Sequence, residues 1–361
     1  MYFSPDYVTA RTRFRDAVAR RGGQLTALPI AATGPAGEDL TIDIGWFGAE
    51  RPEKAFVHSS GLHGVEGFAG SAIQLQWLDE GVPSLPADTA VVLIHAVNPY
   101  GMAWLRRVNA RGVDLNRNCL EPGEEYDGAP DGYDALDAFL NPPTAPSHEP
   151  FHLRAAWLIL CHGMPALKQA IAGGQYVNPK GLFFGGTSLQ EETSRLGEHA
   201  RKRLCSVTRL VSVDVHTGLG PFGIDTLLVA ADQASPMLAE MRACFAGARV
   251  SPLDPERGPA YRIKGTYQSW FRTLLPGATL FLVGQEFGTY GPVRVLRALR
   301  AENRSHHYGS DSARHLAARA LREVFAPDAE AWPRAVLARG RVVMGQALEL
   351  LAYSDTRHPP A

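Results

Sequence analysis

Three short segments hold the residues best able to do chemistry: Gly61-Leu-His63-Gly-Val-Glu66-Gly67, Val113-Asp-Leu-Asn116-Arg117-Asn118 and Val213-Asp214-Val-His216-Thr-Gly218. The first and third supply two imidazoles and a carboxylate. A zinc ion takes those donors, and a catalytic zinc keeps three protein ligands with a fourth position open for water. His63-x-x-Glu66 is the only His-x-x-Glu spacing in the chain. Glycines at 64 and 67 would let the turn bend both side chains onto one ion. Standing alone, that pair also reads as a helix start, and His216 alone as an ordinary strand-end histidine. Asp214, two residues before His216 and on the same strand face, is placed to orient it as an outer carboxylate. The reaction type this donor set suggests is metal-assisted hydrolysis.

The other pieces belong to the same chemistry. Arg117 offers a planar fork that matches a carboxylate, and the neighbouring Asn116 amide can donate to the same group. Arg106-Arg107 could place a guanidinium near an oxyanion. Glu286, in Leu-Val-Gly-Gln-Glu-Phe-Gly, could take a proton from an attacking water and hand it to a leaving amine. A salt-bridged strand-end carboxylate would look the same in sequence.

The elements that must position these groups are legible as pattern. Residues 9–22 read as an amphipathic helix, and 39–47 as a strand with one wet face. Residues 55–59 form a short apolar run ending in the Gly61–Gly67 turn, followed by a helix over 68–78. Residues 90–97, Ala-Val-Val-Leu-Ile-His-Ala-Val, suit a central strand and end in the turn Asn98-Pro-Tyr-Gly101. Residues 121–150 read as a long surface excursion. A helix broken near Gly163-Met-Pro165 covers 151–172. Strands follow at 207–215, 226–231 and 278–283, then helices at 291–303, 311–325 and 333–352. The tail from Asp355 reads as frayed. The expected fold is α/β, a mixed, mostly parallel twisted sheet with helices on both faces, in one catalytic domain spanning 1–361. His63, Asn98, His216 and Glu286 each follow a predicted strand, where such sheets gather ligands.

Bulk properties narrow the function. The chain has 361 residues, 45% hydrophobic and 20% charged, enough for a large core. Its net charge of -1 suggests neither a nucleic-acid partner nor a membrane surface. Cys119, Cys161, Cys205 and Cys244 are far apart, with no C-x-x-C pair, so a reducing cytoplasm is the expected compartment. No apolar run is long enough for a membrane span, and the start lacks a signal-peptide pattern. The pattern leaves the oligomeric state open.

Taken together, His63-x-x-Glu66, Asn98-Pro99-x-Gly101, Asp114-x-Asn116-Arg117-Asn118, His216 and Glu286, in this order, resemble the zinc carboxypeptidase superfamily. The resemblance touches residues 55–295 and is nearest to a bacterial branch of carboxypeptidase-like proteins. It implies that His63, Glu66 and His216 bind one Zn2+ per chain. It also implies that Asn116 and Arg117 grip a terminal carboxylate, that Arg107 rather than Arg106 polarises the oxyanion, that Asp114 supports His63, and that Glu286 is the general base. Tyr267 or Tyr261 would close on the substrate, and Gly174-Gln-Tyr176 and His306-His-Tyr308 would line the pocket. The substrate would be a small peptide or an N-acyl amino acid. Two departures bear on that choice. The Arg107–Asn116 stretch is shorter than in digestive carboxypeptidases. The Glu286-Phe-Gly context is closer to the aspartoacylase type of N-acyl amino acid deacylase. A non-catalytic metal- or ligand-binding protein is the remaining alternative, since fold does not fix function.

Overall fold

The computed structural model describes residues 2–231, 234–252 and 263–352. Tyr261 and the tail from Asp355 lie outside the described residues. The strands are β1 (Gln24–Thr33), β2 (Asp39–Gly48), β3 (Lys54–Ser60), β4 (Thr89–His95), β5 (Arg209–Gly218), β6 (Asp225–Val229), β7 (Arg249–Pro252) and β8 (Thr279–Gly288). They form one eight-stranded sheet in the order β1-β2-β4-β3-β5-β8-β6-β7. The pairs β3–β4, β3–β5, β5–β8 and β6–β7 are parallel. The pairs β1–β2, β2–β4 and β6–β8 are antiparallel. The sheet is therefore mixed, with a parallel centre.

The helices are α1 (Tyr7–Arg20), α2 (Gly67–Glu80), α3 (Pro99–Ala103), α4 (Tyr133–Leu140), α5 (Phe151–His162) and α6 (Met164–Ala172), then α7 (Glu191–Arg203), α8 (Pro236–Cys244), α9 (Tyr267–Leu274), α10 (Pro292–Tyr308), α11 (Asp311–Phe325) and α12 (Ala331–Ala352). One face of the sheet packs Phe14 of α1, Ile73 of α2, Met241 of α8 and Val336 and Met344 of α12 against Phe56, Val91, Val211 and Phe281. The other packs Leu196 and Ala200 of α7 and Trp270 and Phe271 of α9 against Ile44, Val57, Val92 and Leu282. With both faces covered, β4 is buried at every position, as its unbroken apolar run requires.

Three expectations change. β2 has no wet face: only its two end residues are exposed. Val18 of α1 closes over Gly45 on one side, and the Arg203 guanidinium lies 4.3 Å from the Trp46 ring on the other. The excursion over 121–150 contains α4, whose Tyr133, Leu136, Phe139 and Leu140 form a small core with Phe151 and Ala155 of α5 and Leu167 and Ala170 of α6. Finally, β5 and β8 run on to Gly218 and Gly288, so His216 and Glu286 lie within strands rather than after them.

The connections decide where a ligand can sit. β3 leads through α2 to β4 on one side, and the chain then returns to β5 on the other side of β3. The crevice between the carboxyl ends of β3 and β5 is thus a topological switch point, where open α/β sheets bind ligands. His63 and His216 flank it.

Candidate active site

A one-turn 3-10 segment, Gly64–Glu66, turns the chain from β3 into α2. It sits close against the Asn98 turn. A Cβ on Gly64 would lie 2.1 Å from the Gly101 carbonyl carbon, so glycine is required here for close approach. Neither Gly64 nor Gly67 has a positive φ; the left-handed residue of this turn is Gly61. The Gly64 and Val65 amides donate to the carbonyls of Arg107 and Arg106. Asn98 caps α3 by accepting from the Gly101 amide, and its Nδ2 donates to the Arg107 carbonyl at 3.3 Å. The Asn98-Pro-Tyr-Gly101 motif therefore clamps the arginine pair onto the His63–Glu66 turn.

His63, Glu66 and His216 converge and are buried. Their Nδ1 atoms lie 3.2 Å apart. Glu66 oxygens are 3.0 Å from His63 Nδ1 and 3.3 Å from His216 Nδ1. Each ring turns its Nε2 to a buried carboxylate, His216 to Asp214 at 2.7 Å and His63 to Asp114 at 3.1 Å. Ser59 donates to the other Asp214 oxygen at 2.6 Å. With the proton on Nε2 of each ring, which these carboxylates favour, both Nδ1 lone pairs face the same point as Glu66. Two lone pairs and a carboxylate facing one another repel unless a cation lies between them.

The local charge points the same way. Glu66, Asp114, Asp214 and Glu286 are four buried carboxylates, against the guanidiniums of Arg107 and Arg117. Without a cation, the raised His216 and Glu286 hold protons that offset part of this negative charge; a divalent cation would let both give them up. Burial pushes the Glu66 carboxyl up, but His63, His216 and Arg107 outweigh it and hold it below the ordinary range. Burial likewise opposes ionisation of Asp114, and Arg107 with His63 and Arg117 holds it well down. Burial would depress His216, yet Asp214 and Glu66 raise it well above an ordinary imidazole. The donor set, two imidazoles and one carboxylate, fits zinc.

Glu286 stands beside this cluster because it pairs in register with His216 across the parallel strands β5 and β8. Its Oε1 accepts from the Leu219 amide at 2.8 Å. Burial, and then the Glu66 charge, push its carboxyl up to about 7. Such a shift suits a group that must accept and release a proton near neutrality.

Of the two neighbouring arginines, Arg107 reaches the cluster. Its guanidinium contacts Asp114 at 3.0 Å, Glu66 at 3.0 Å and His63 Nε2 at 2.7 Å. Arg106 turns the other way and pairs with Glu302 on α10 at 2.7 Å. Arg117 is 1% exposed and donates to the carbonyls of Ala172 and Asn116. Gly174 makes room for it: a Cβ there would lie 2.6 Å from Arg117 Cδ. Asn116 is part-exposed, and its Oδ1 accepts from the Tyr267 amide at the start of α9. Tyr267 is fully buried at the start of α9, out of reach of a substrate as it stands; burial, and then the Asp214 charge, raise its phenol.

Gln175 folds back on the Val177 and Asn178 amides, and Tyr176 donates to the Arg117 carbonyl. His306-His-Tyr308 ends α10 beside Arg106 and Lys180. Two contributors were not read from sequence. Ser59 holds Asp214, and Phe183 lies under both Arg107 and Arg117, with ring-centre distances of 5.2 and 5.8 Å. Phe183 carries a positive φ of 57°, a conformation costly for an aromatic residue and found at constrained sites. Strand periodicity gives no signal for such a position.

A family model described as a protein of unknown function, DUF2817, matches residues 3–339. The chain belongs to the DUF2817 family. No curated protein matches this DUF2817 chain. Among solved structures it is similar to bovine thrombin-activatable fibrinolysis inhibitor in complex with tick carboxypeptidase inhibitor, at 10% identity and TM-score 0.48, covering 97% of this chain and 98% of that one. It is also similar to carboxypeptidase A from Helicoverpa armigera, at 13% identity and TM-score 0.47, covering 89% and 75%. A third is murein-tripeptide amidase MpaA from Escherichia coli O157, at 16% identity and TM-score 0.37, covering 84% and 95%.

Proposed function

We propose that this chain is a zinc-dependent hydrolase that cleaves an amide bond next to a free carboxylate. The observation that carries the proposal is the convergence of His63 Nδ1, His216 Nδ1 and Glu66, each ring oriented by its own buried aspartate, with Glu286 one strand away in register with His216. Zinc held by His63, Glu66 and His216 would supply Lewis-acid activation of water and of the scissile carbonyl. Glu286 takes a proton from the attacking water and delivers it to the leaving nitrogen, so the amine departs neutral. Arg107, fixed by Glu66 and Asp114, keeps positive charge where the carbonyl oxygen becomes negative. The part-exposed Asn116 amide orients the substrate carboxylate, and Arg117, buried against the Ala172 and Asn116 carbonyls, holds that segment in place and adds its charge from behind. Asp114 and Asp214 keep both rings in the tautomer that presents Nδ1.

Glu286→Gln tests the base directly. The amide keeps the side-chain shape and its contact with Leu219 but accepts no proton. Hydrolysis should fall by at least about a hundredfold, with zinc content unchanged by elemental mass spectrometry. Full activity in this variant would refute the assignment.

The Glu286-Phe-Gly context supports a second reading with the same machinery, an N-acyl amino acid deacylase. Assays of short peptides beside N-acyl amino acids separate the two: turnover of peptides alone eliminates the deacylase. Zinc-dependent turnover of either class disposes of a purely binding role.

A further inference from the structure

Helix α5 presents an apolar stripe to solvent. Leu153, Trp157 and Leu160 are 75%, 61% and 85% exposed, and their spacing of four and then three residues puts them on one face. The opposite face of α5 is already used: Phe151 and Ala155 pack into the small core with α4 and α6. Scattered apolar residues on a surface are ordinary, but a contiguous stripe on one helix face marks an interaction site.

The charges around the stripe select the occupant. Residues 151–173 contain no Asp or Glu, and they carry His152, Arg154, His162 and Lys168. On the adjoining α10, exposed Arg297 lies 3.1 Å from His152. Behind them Arg300 and Arg304, both buried, share the Glu149 carboxylate. Exposed Asp131 and Asp134, at the start of α4, stand against this group. A second copy of the chain docked across a two-fold axis would set the patch against itself, like charge facing like. An anionic surface meets both its features: apolar side chains enter the acyl boundary while arginine and lysine stay among the headgroups, with tryptophan at the level it favours.

We propose that the α5 face docks this protein reversibly on an anionic lipid surface. The placement is peripheral, since no described helix is long and apolar enough to cross a membrane. It is independent of the hydrolase reading, because none of these residues belongs to the site.

The test is flotation of the full chain with phosphatidylcholine vesicles, with and without phosphatidylglycerol. Binding should require phosphatidylglycerol, weaken in high salt, and shift the Trp157 emission to the blue, with Trp157→Phe as the spectral reference. Leu153→Ser/Leu160→Ser and, separately, Arg154→Gln/Arg297→Gln should each cut the bound fraction about tenfold, with thermal midpoints and zinc content unchanged. Absent binding to anionic vesicles, equal binding to neutral ones, or variants that bind as well as wild type would overturn the proposal. So would a wild-type dimer in sedimentation equilibrium that Leu153→Ser/Leu160→Ser dissociates, since a second copy would then cover the face.

Discussion

At the residue scale, the decisive feature is which nitrogen of each histidine faces inward. A histidine can present either one, and the choice belongs to what the other nitrogen touches. Asp214 makes that choice for His216 at 2.7 Å, and Ser59 fixes Asp214 in turn. Asp214→Asn keeps the shape but can offer its NH2 to Nε2, which favours the proton on Nδ1 and removes the lone pair aimed at the cluster. Zinc affinity should then fall about 10- to 100-fold, measured by competition with a chelating dye. An unchanged affinity would show that Asp214 does not set the tautomer. Phe183 belongs at this scale too, since one ring in a strained backbone position underlies both guanidiniums.

At the element scale, the site is a product of strand register and of two tight crossings. Register sets Glu286 beside His216. The Gly64–Gly101 contact binds the His63–Glu66 turn to the loop that carries Arg107. Behind the sheet, α2 and α12 cross closely at Gly340, where a Cβ would meet Ile73 at 2.4 Å. Gly340→Val overpacks that crossing. It should cost about 1–3 kcal/mol of stability, read from urea or thermal unfolding, while zinc content stays at wild-type level because no site residue moves. Most elements were readable because their apolar periodicity is strong. α7 was missed: its sequence is dominated by charge, and only the narrow stripe Thr193, Leu196, Gly197 and Ala200, with Glu192, is buried. β1 was missed because it is an edge strand with a single buried residue, Ile30.

For the whole molecule, the His63–Glu66–His216 cluster is a charge problem placed in the middle of the fold. Without a cation, His216 and Glu286 must hold protons to offset the buried carboxylates around them. Zinc should therefore stabilise as well as activate. With free zinc at a hundred times its dissociation constant, unfolding should cost about 2.7 kcal/mol more than after exhaustive chelation. Paired melting curves with and without a chelator check this, and coincident curves would count against tight zinc binding at this site. The near-zero net charge of the chain has a related lesson. Whole-chain charge averages over a surface on which cations gather at α5 and α10.

The sequence by itself determined the candidate inventory: His63, Glu66, His216 and Glu286, each at or near a strand's carboxyl end, and the arginine segments between β4 and β5. It determined these because apolar runs, glycine turns and residue chemistry are local properties of the chain. Tertiary structure alone decided the rest. It chose Arg107 over Arg106, because the clamp from Asn98 and Gly101 points one side chain at Glu66 and sends its neighbour to Glu302 on α10. It put Phe183 beneath two arginines. It buried Arg117 among backbone carbonyls and folded α4 out of an apparent loop. Each of these depends on contacts between segments tens to hundreds of residues apart, and no local pattern in the chain encodes a direction in space.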